Sequence, residues 1–192
     1  MSPGRRIDIK KIRRSFDMII TTERLVLRPW RDTDFDVFAA MVTDPQVMVD
    51  TPALTGREEC EAKFRGYQQA YDDLGHCRWL AEEPDGTFVG YAGVMPIPPT
   101  LPVAPGVQVG WRLIRRAWGR GYATEAARAS LKDGFERCGF SEVLSYTAPD
   151  NLRSQAVMAR LGLERQPWRD FVDEELLSRP WTGLVWRATP TT

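Results

Sequence analysis

Residues 107–126 read VQVGWRLIRRAWGRGYATEA, and here residue types and spacing could do chemistry. The centre of the stretch is Arg116-Ala117-Trp118-Gly119-Arg120-Gly121, lying between an alternating run and a helix-like one. Two glycines let the backbone bend and approach a ligand with no Cβ in the way. The first amides of a helix have no partner inside it, and with the helix dipole they form an anion site. Arg115, Arg116 and Arg120 add charge of the kind that forks onto phosphate. The guest such a turn suits is a pyrophosphate. A dinucleotide fingerprint would need glycine or alanine where Thr124 stands, and a Walker loop would need Gly-Lys-Ser/Thr. A turn that only joins strand to helix is the other reading of the same residues.

The elements that must position this turn can be read from periodicity. Residues 22–30 alternate, with Leu25 and Leu27 on one face and Val26 and Arg28 on the other, as a strand does. Asp32 can cap a helix carrying Phe35, Phe38, Ala39 and Val42, which Asp44-Pro45 ends. Thr55, with Glu58 three residues on, opens a second helix striped by Cys60, Phe64, Tyr67 and Tyr71 and stopped by Gly75. Residues 77–82 and 87–95 form two strands joined by an Asp85-Gly86 hairpin turn. The five prolines in residues 96–105 rule out regular structure there. A strand over 107–114 and a helix over 122–138 flank the glycine turn. A strand over 142–147, a short helix over 151–161 and strands over 164–172 and 182–188 complete the chain. The order is β-α-α-β-β-β-α-β-α-β-β, a single α/β (α+β) domain. The hairpin implies a mostly antiparallel sheet with helices on its faces.

At this point the sequence resembles a family. Arg116-x-x-Gly119-x-Gly121 followed by Tyr122-Ala123-Thr124-Glu125-Ala126 is similar to the acetyl-CoA motif of the GNAT acetyltransferases, and it comes nearest to the branch of ribosomal-protein alanine acetyltransferases. Thr22-Glu23-Arg24-Leu25-Val26-Leu27-Arg28 looks like that branch's first strand, and Gly110-Trp111-x-Leu113 like its splayed fourth strand. Asp150-Asn151-x-x-Ser154 and then Arg160-Leu161-Gly162-Leu163 resemble its Asn-x-x-Ser and Lys-x-Gly-Phe elements. The resemblance spans residues 21–188. It implies a mixed, twisted sheet of about seven strands and about four helices, with strands splayed at an acetyl-CoA site.

It also implies roles. Main-chain groups of Leu113 and Ile114 would pair with the pantetheine arm as an added strand does. The segment Arg116, Trp118, Gly119, Arg120, Gly121, Tyr122, Ala123 and Thr124 would cradle the pyrophosphate. Asn151 would hold the arm, and Ser154 would lie near the sulfur as candidate acid, although a first-turn serine can simply bond the backbone. The chemistry is direct attack of a neutral amine on a thioester. It needs placement, proton removal and carbonyl polarisation, and no covalent enzyme intermediate. The family's strand four often has an acid two residues before the glycine, and here that place holds Gln108, which cannot take a proton. Glu82, Glu83, Glu125 through water, and His76, the single histidine, stand as substitutes. The acceptor, a protein N-terminus or a small amine, would meet the first two helices, the proline loop and the C-terminal strands.

Composition sets the remaining bounds. The 192 residues, 43% of them hydrophobic and seven of them tryptophan, suffice for one domain with a real core. Twenty-six basic and 26 acidic side chains cancel, so no nucleic-acid or membrane partner is expected from overall charge. Cys60, Cys77 and Cys138 are odd in number and unpaired in spacing, which speaks against a disulfide frame or a zinc site and for a reducing cytoplasm. A homodimer is the assembly the family suggests. Residues 5–14 concentrate six basic side chains, read as part of a flexible tail over 1–17 preceding a folded unit at 18–190. Two rival readings follow: a CoA-binding regulatory module without catalysis, which Gln108 supports, and a nucleic-acid-associated protein using the basic tail.

Overall fold

The computed structural model describes residues 18–174 and 180–190. The expected basic tail over 1–17 lies outside the described residues. The elements are β1 (Ile20–Thr21), β2 (Val26–Arg28), α1 (Phe35–Thr43), α2 (Arg57–Leu74), β3 (Arg78–Glu82), β4 (Phe88–Pro96), β5 (Val107–Leu113), α3 (Tyr122–Glu136), β6 (Val143–Thr147), α4 (Leu152–Arg160), β7 (Glu164–Arg165), β8 (Phe171–Asp173) and β9 (Trp181–Ala188). They build one sheet in the order β1-β2-β3-β4-β5-β6-β9-β7, with β8 pairing β9. Every pairing is antiparallel except β5 with β6. The described strands number nine rather than about seven because short edge pieces pair at both ends.

Alternation along each strand divides the core in two. Leu27, Trp79, Ala81, Val89 and Ala92 face one way and pack with Tyr122 and Ala126 of α3. Leu80 and Tyr91 face the other way, against Trp30, Phe38 and Phe64 under α1 and α2. Farther along, Val94, Val109 and Val143 meet Ala127 and Leu131 of α3 and Met158 of α4. Ile97, Leu101, Leu144, Phe171 and Val185 close the opposite face.

The decisive feature is how little β5 and β6 share. β4 and β5 pair from Gly90↔Leu113 to Pro96↔Val107, while β5 and β6 meet at Gln108↔Leu144 alone. The Ser145 hydroxyl then donates to the Val109 carbonyl at 3.0 Å. Beyond that point the strands diverge and β5 presents an open edge.

Several expectations shift by a residue or more. The strand expected over 22–30 is β2 and begins only at Val26, because the Thr22 amide donates to the Leu25 carbonyl at 2.9 Å and the Thr22 hydroxyl oxygen accepts from the Leu25 amide at 2.9 Å, closing a turn. The second helix is capped by Gly56, and Glu59 rather than Glu58 accepts from the amides of Thr55 and Gly56. Residues 164–172 break into β7 and β8 at a 3-10 turn started by Pro167. Of the proline segment, Pro96 is still strand, the last residue of β4 opposite Val107, and the rest is irregular and anchored, with Ile97 and Leu101 buried and the Ile97 amide donating to Gly106 at 2.8 Å. No described helix is long and apolar enough to cross a membrane.

Candidate functional site

The divergence of β5 from β6 opens a cleft of about 750 Å³. It is lined by the end of β5, the turn over 117–124, the first turns of α4, and Val47, Val49 and Asp50 between α1 and α2.

The turn is built as an anion cradle. Gly119 and Gly121 are left-handed, at φ 73° and 82°, a conformation only glycine takes without strain. Gly121 caps α3, and nothing lies within 4 Å of where a Cβ on Gly119 would be. The first intrahelical bond runs from the Glu125 amide to the Gly121 carbonyl, so the amides of residues 119–124 donate to no described group. Thr124 is 8% exposed and lines the cleft, and its Oγ1 has no partner among the described residues. A buried hydroxyl without a partner is costly, and here it sits beside a row of free amides.

Neighbours hold this turn in place. The Trp118 indole donates to the Leu113 carbonyl at 2.8 Å, and its ring carries Arg153 at 4.1 Å. Arg24 donates to the Arg120 carbonyl at 3.0 Å and pairs with Glu125. Glu125 also accepts from the Thr22 hydroxyl at 2.7 Å and the Arg24 amide at 2.8 Å. Burial pushes the Glu125 carboxyl up, but these donors prevail and hold it below its usual range. Arg120 pairs with Glu83, which also accepts from the Tyr122 hydroxyl. The Arg116 guanidinium turns aside to the Phe88 carbonyl.

Across the cleft, Asn151 caps α4. Its Oδ1 accepts from the Ser154 amide at 3.1 Å, and its Nδ2 donates to Asp50 at 3.2 Å. Asp50 in turn pairs with Arg112 at 2.7 Å. Arg112 also donates to the Val47 carbonyl and the Thr51 hydroxyl. Burial lowers the Arg112 pKa, but nearby Tyr91 and Asp50 outweigh it and raise it on balance. Ser154 lines the cleft, and no hydrogen bond of its hydroxyl occurs among the described residues.

The structure thus brings together Leu113, residues 117–124, Asn151 and Ser154. It does not bring the other expected catalytic groups there. Glu82 is bound by Arg28 through two contacts of 2.9 Å, and Arg28 also holds Asp34. His76 is buried, with Nδ1 3.0 Å from the Val94 carbonyl and its ring edge-on to Phe140. The Ile114 amide donates to Val89 on β4, so the open main-chain edge of β5 belongs to Trp111 and Leu113 instead. Gln108 does not line the cleft. Among the described residues no cluster of metal-ligating side chains occurs. Reasoning on the sequence missed Asp50, Arg112 and Arg24. Asp50 lies in an irregular loop with no motif, while Arg24 carries a signal only as part of the motif that resembles the family's first strand.

The family described as "Acetyltransferase (GNAT) domain" matches residues 24–164. A Bacillus subtilis (strain 168) protein, "Uncharacterized protein YkkB", is 30% identical over 75% of this chain and 84% of its own. An acetyltransferase structure from Agrobacterium tumefaciens str. C58 is similar at 27% identity and TM-score 0.77, covering 90% of this chain and 95% of that one. A ribosomal α-N-protein acetyltransferase solved in complex with coenzyme A shares the fold at 15% identity and TM-score 0.72, covering 90% and 98%.

Proposed function

The chain belongs to the GNAT acetyltransferase family, and on that premise we propose that it transfers an acetyl group from acetyl-CoA to a primary amine in a ternary complex. The observation that carries this reading is the buried, unpartnered Thr124 hydroxyl beside the free amides of a turn with two left-handed glycines. Polar groups left open at a helix N-terminus suit a pyrophosphate. Arg120, Tyr122 and Ala123 would complete the phosphate cradle, with Trp118 and Arg153 at its rim. The amide of Leu113 and the main chain of Trp111 would receive the pantetheine arm, and Asn151 would fix its far side.

Acetyl-CoA supplies the activated acetyl thioester when bound. The chain's own residues place the reacting groups and exclude water. Ser154, whose hydroxyl is open to the cleft, is the group we assign to proton delivery at the leaving sulfur. Asp50 positions Asn151 and Arg112 rather than touching the reacting atoms. A catalytically silent CoA-binding module is the second reading, favoured by Gln108 in place of an acid and by the distance of Glu82 and His76 from the cleft. We also assign the protein to a reducing cytoplasm, since all three cysteines are free thiols, and to a homodimer, which gel filtration with light scattering tests.

Titration of acetyl-CoA by calorimetry, followed by a thiol-release screen over amines, tests the proposal. Binding with turnover supports the enzyme. Binding without turnover of any amine supports the silent module, and no binding overturns both.

A further inference from the structure

The face of the sheet under α1 and α2 carries two buried or half-buried arginines matched by three acids, and one arginine outside them. Arg28 is matched by Asp34 and Glu82, and Arg112 by Asp50. Arg78, on β3 and 8% exposed, has no carboxylate partner among the described residues. Its bonds all leave from Nη1, to the carbonyls of Gly93, Gln108 and Gly110. Guanidinium does not lose its proton in a protein, and a buried cation lacking a counter-charge is strongly disfavoured. Carbonyl dipoles on one nitrogen leave the Nε and Nη2 edge, the fork that fits a carboxylate, without a partner.

The position of this cation is set by two strands without side chains beneath it. Arg78 pairs in register with Gly93, and Gly93 with Gly110. A Cβ on Gly110 would come within 2.8 Å of Arg78 Nη2, so the guanidinium lies directly over Gly110. Gly110 is two residues past the last β5–β6 bridge, at the apex of the divergence. An arm running along the open edge from Leu113 to Trp111 ends at that apex. Around it stand other polar groups with capacity to spare. Burial pushes the Tyr146 phenol up to about 12, with Arg78's charge and the Gln108 amide acting against it. The Tyr146 ring lies 6.3 Å from that of Trp181, whose indole Nε1 is buried and has no partner among the described residues.

Resting on the acetyltransferase reading above, we propose that the acceptor is a small amine bearing a carboxylate, of amino-acid type, with Arg78 as the residue that receives the carboxylate beside the splay. The carboxylate closes the Nε and Nη2 fork and supplies the missing counter-charge. Tyr146 and the Trp181 indole offer further donors to it. A polycationic acceptor would instead meet an unbalanced positive charge beside the splay of β5 from β6. The cation also disfavours the ammonium form of the bound amine, which eases attack where Gln108 offers no base.

The test compares the proteinogenic L-amino acids, their carboxamides, and spermidine as acceptors with the whole chain and acetyl-CoA, read by thiol release. The expected result is turnover of at least one amino acid, with its carboxamide lower in kcat/KM by a factor of about 100. Arg78→Met and Arg78→Lys should both raise KM for the amino acid at least tenfold and leave acetyl-CoA binding, measured by calorimetry, within twofold of wild type. Preference for carboxamides or spermidine, or equal KM for amino acid and carboxamide in wild type and both variants, overturns the proposal while leaving the acetyltransferase intact. Acetyl-CoA binding with no turnover of any acceptor overturns it as well. Failure to bind acetyl-CoA overturns the acetyltransferase reading itself.

Discussion

Asp50 and Asn151 lie 101 positions apart in the chain, yet their side chains meet at 3.2 Å across the mouth of the cleft. Asp50 reaches on to Arg112 at 2.7 Å, so the loop between α1 and α2, the end of β5 and the first turn of α4 are tied at one carboxylate. Asp50→Asn should loosen this tie. We expect acetyl-CoA affinity to fall about tenfold, or about 1.4 kcal/mol, because removing one partner leaves the half-buried Arg112 charge uncompensated. Calorimetry measures it, and unchanged affinity would mean the contact is incidental.

Gly119→Glu places a negative charge and a strained left-handed residue at the centre of the cradle. The surrounding space is open, so the fold should survive with a modest drop in Tm. Acetyl-CoA binding should weaken by at least 100-fold, or about 2.7 kcal/mol. A variant that binds normally would remove the glycine turn from the site.

Ser154→Ala separates proton delivery from capping. The hydrogen bond from the Ser154 backbone N–H to Asn151 Oδ1 survives the change, since it does not use the Ser154 side chain. We expect kcat to fall 10- to 100-fold, in the range general acid groups contribute, with acetyl-CoA affinity unchanged. If kcat holds, the hydroxyl has no part in the chemistry. Asn151→Ala, by contrast, removes the cap itself and should cost about 1 kcal/mol of stability.

Glu82→Gln tests the assignment of Glu82 to structure. Glu82 and Asp34 together surround Arg28, and breaking a buried pair costs about 3 kcal/mol. Thermal unfolding should show the loss while kcat/KM at permissive temperature stays within twofold. A collapse in kcat without a change in Tm would return Glu82 to the chemistry.

Glu125 gives a pH dependence of defined sign. Its carboxyl is held below the usual range in the folded chain, despite burial, by Thr22 and Arg24. A depressed folded-state pKa adds stability that is fully present above the unfolded value of about 4.3. That stability is lost as pH falls through the lower folded value. Denaturation of wild type and Glu125→Gln should therefore differ at neutral pH and converge in acid. A gap that persists under strong acid would contradict the ion pair.

How much of this was legible in the sequence depends on the range of the interaction. Local signals placed well: the Asp85-Gly86 hairpin, the Gly75 stop, the glycine turn and the short helix that follows Asn151 all depend on backbone conformation within a few residues. The mostly antiparallel order followed from such turns. Boundaries slipped where a side chain competed with regular structure, as Thr22 does by accepting from the Leu25 amide.

Pairings across the sheet were decided only by tertiary structure. Sequence spacing offered Glu82 and His76 as acid–base groups, because carboxylate and imidazole are the right chemical types. Folding buries one against Arg28 and points the other at the Val94 carbonyl, away from the cleft. It also brings up Asp50, which no motif marks, and sets Arg78 over Gly110, where only a glycine leaves room for a guanidinium. Residue type and local spacing determined that this chain has a turn fit for a phosphate. Which charges face one another, and which remain unmatched, depends on strand register and loop closure between residues far apart in sequence, and those distances exist only in the folded chain.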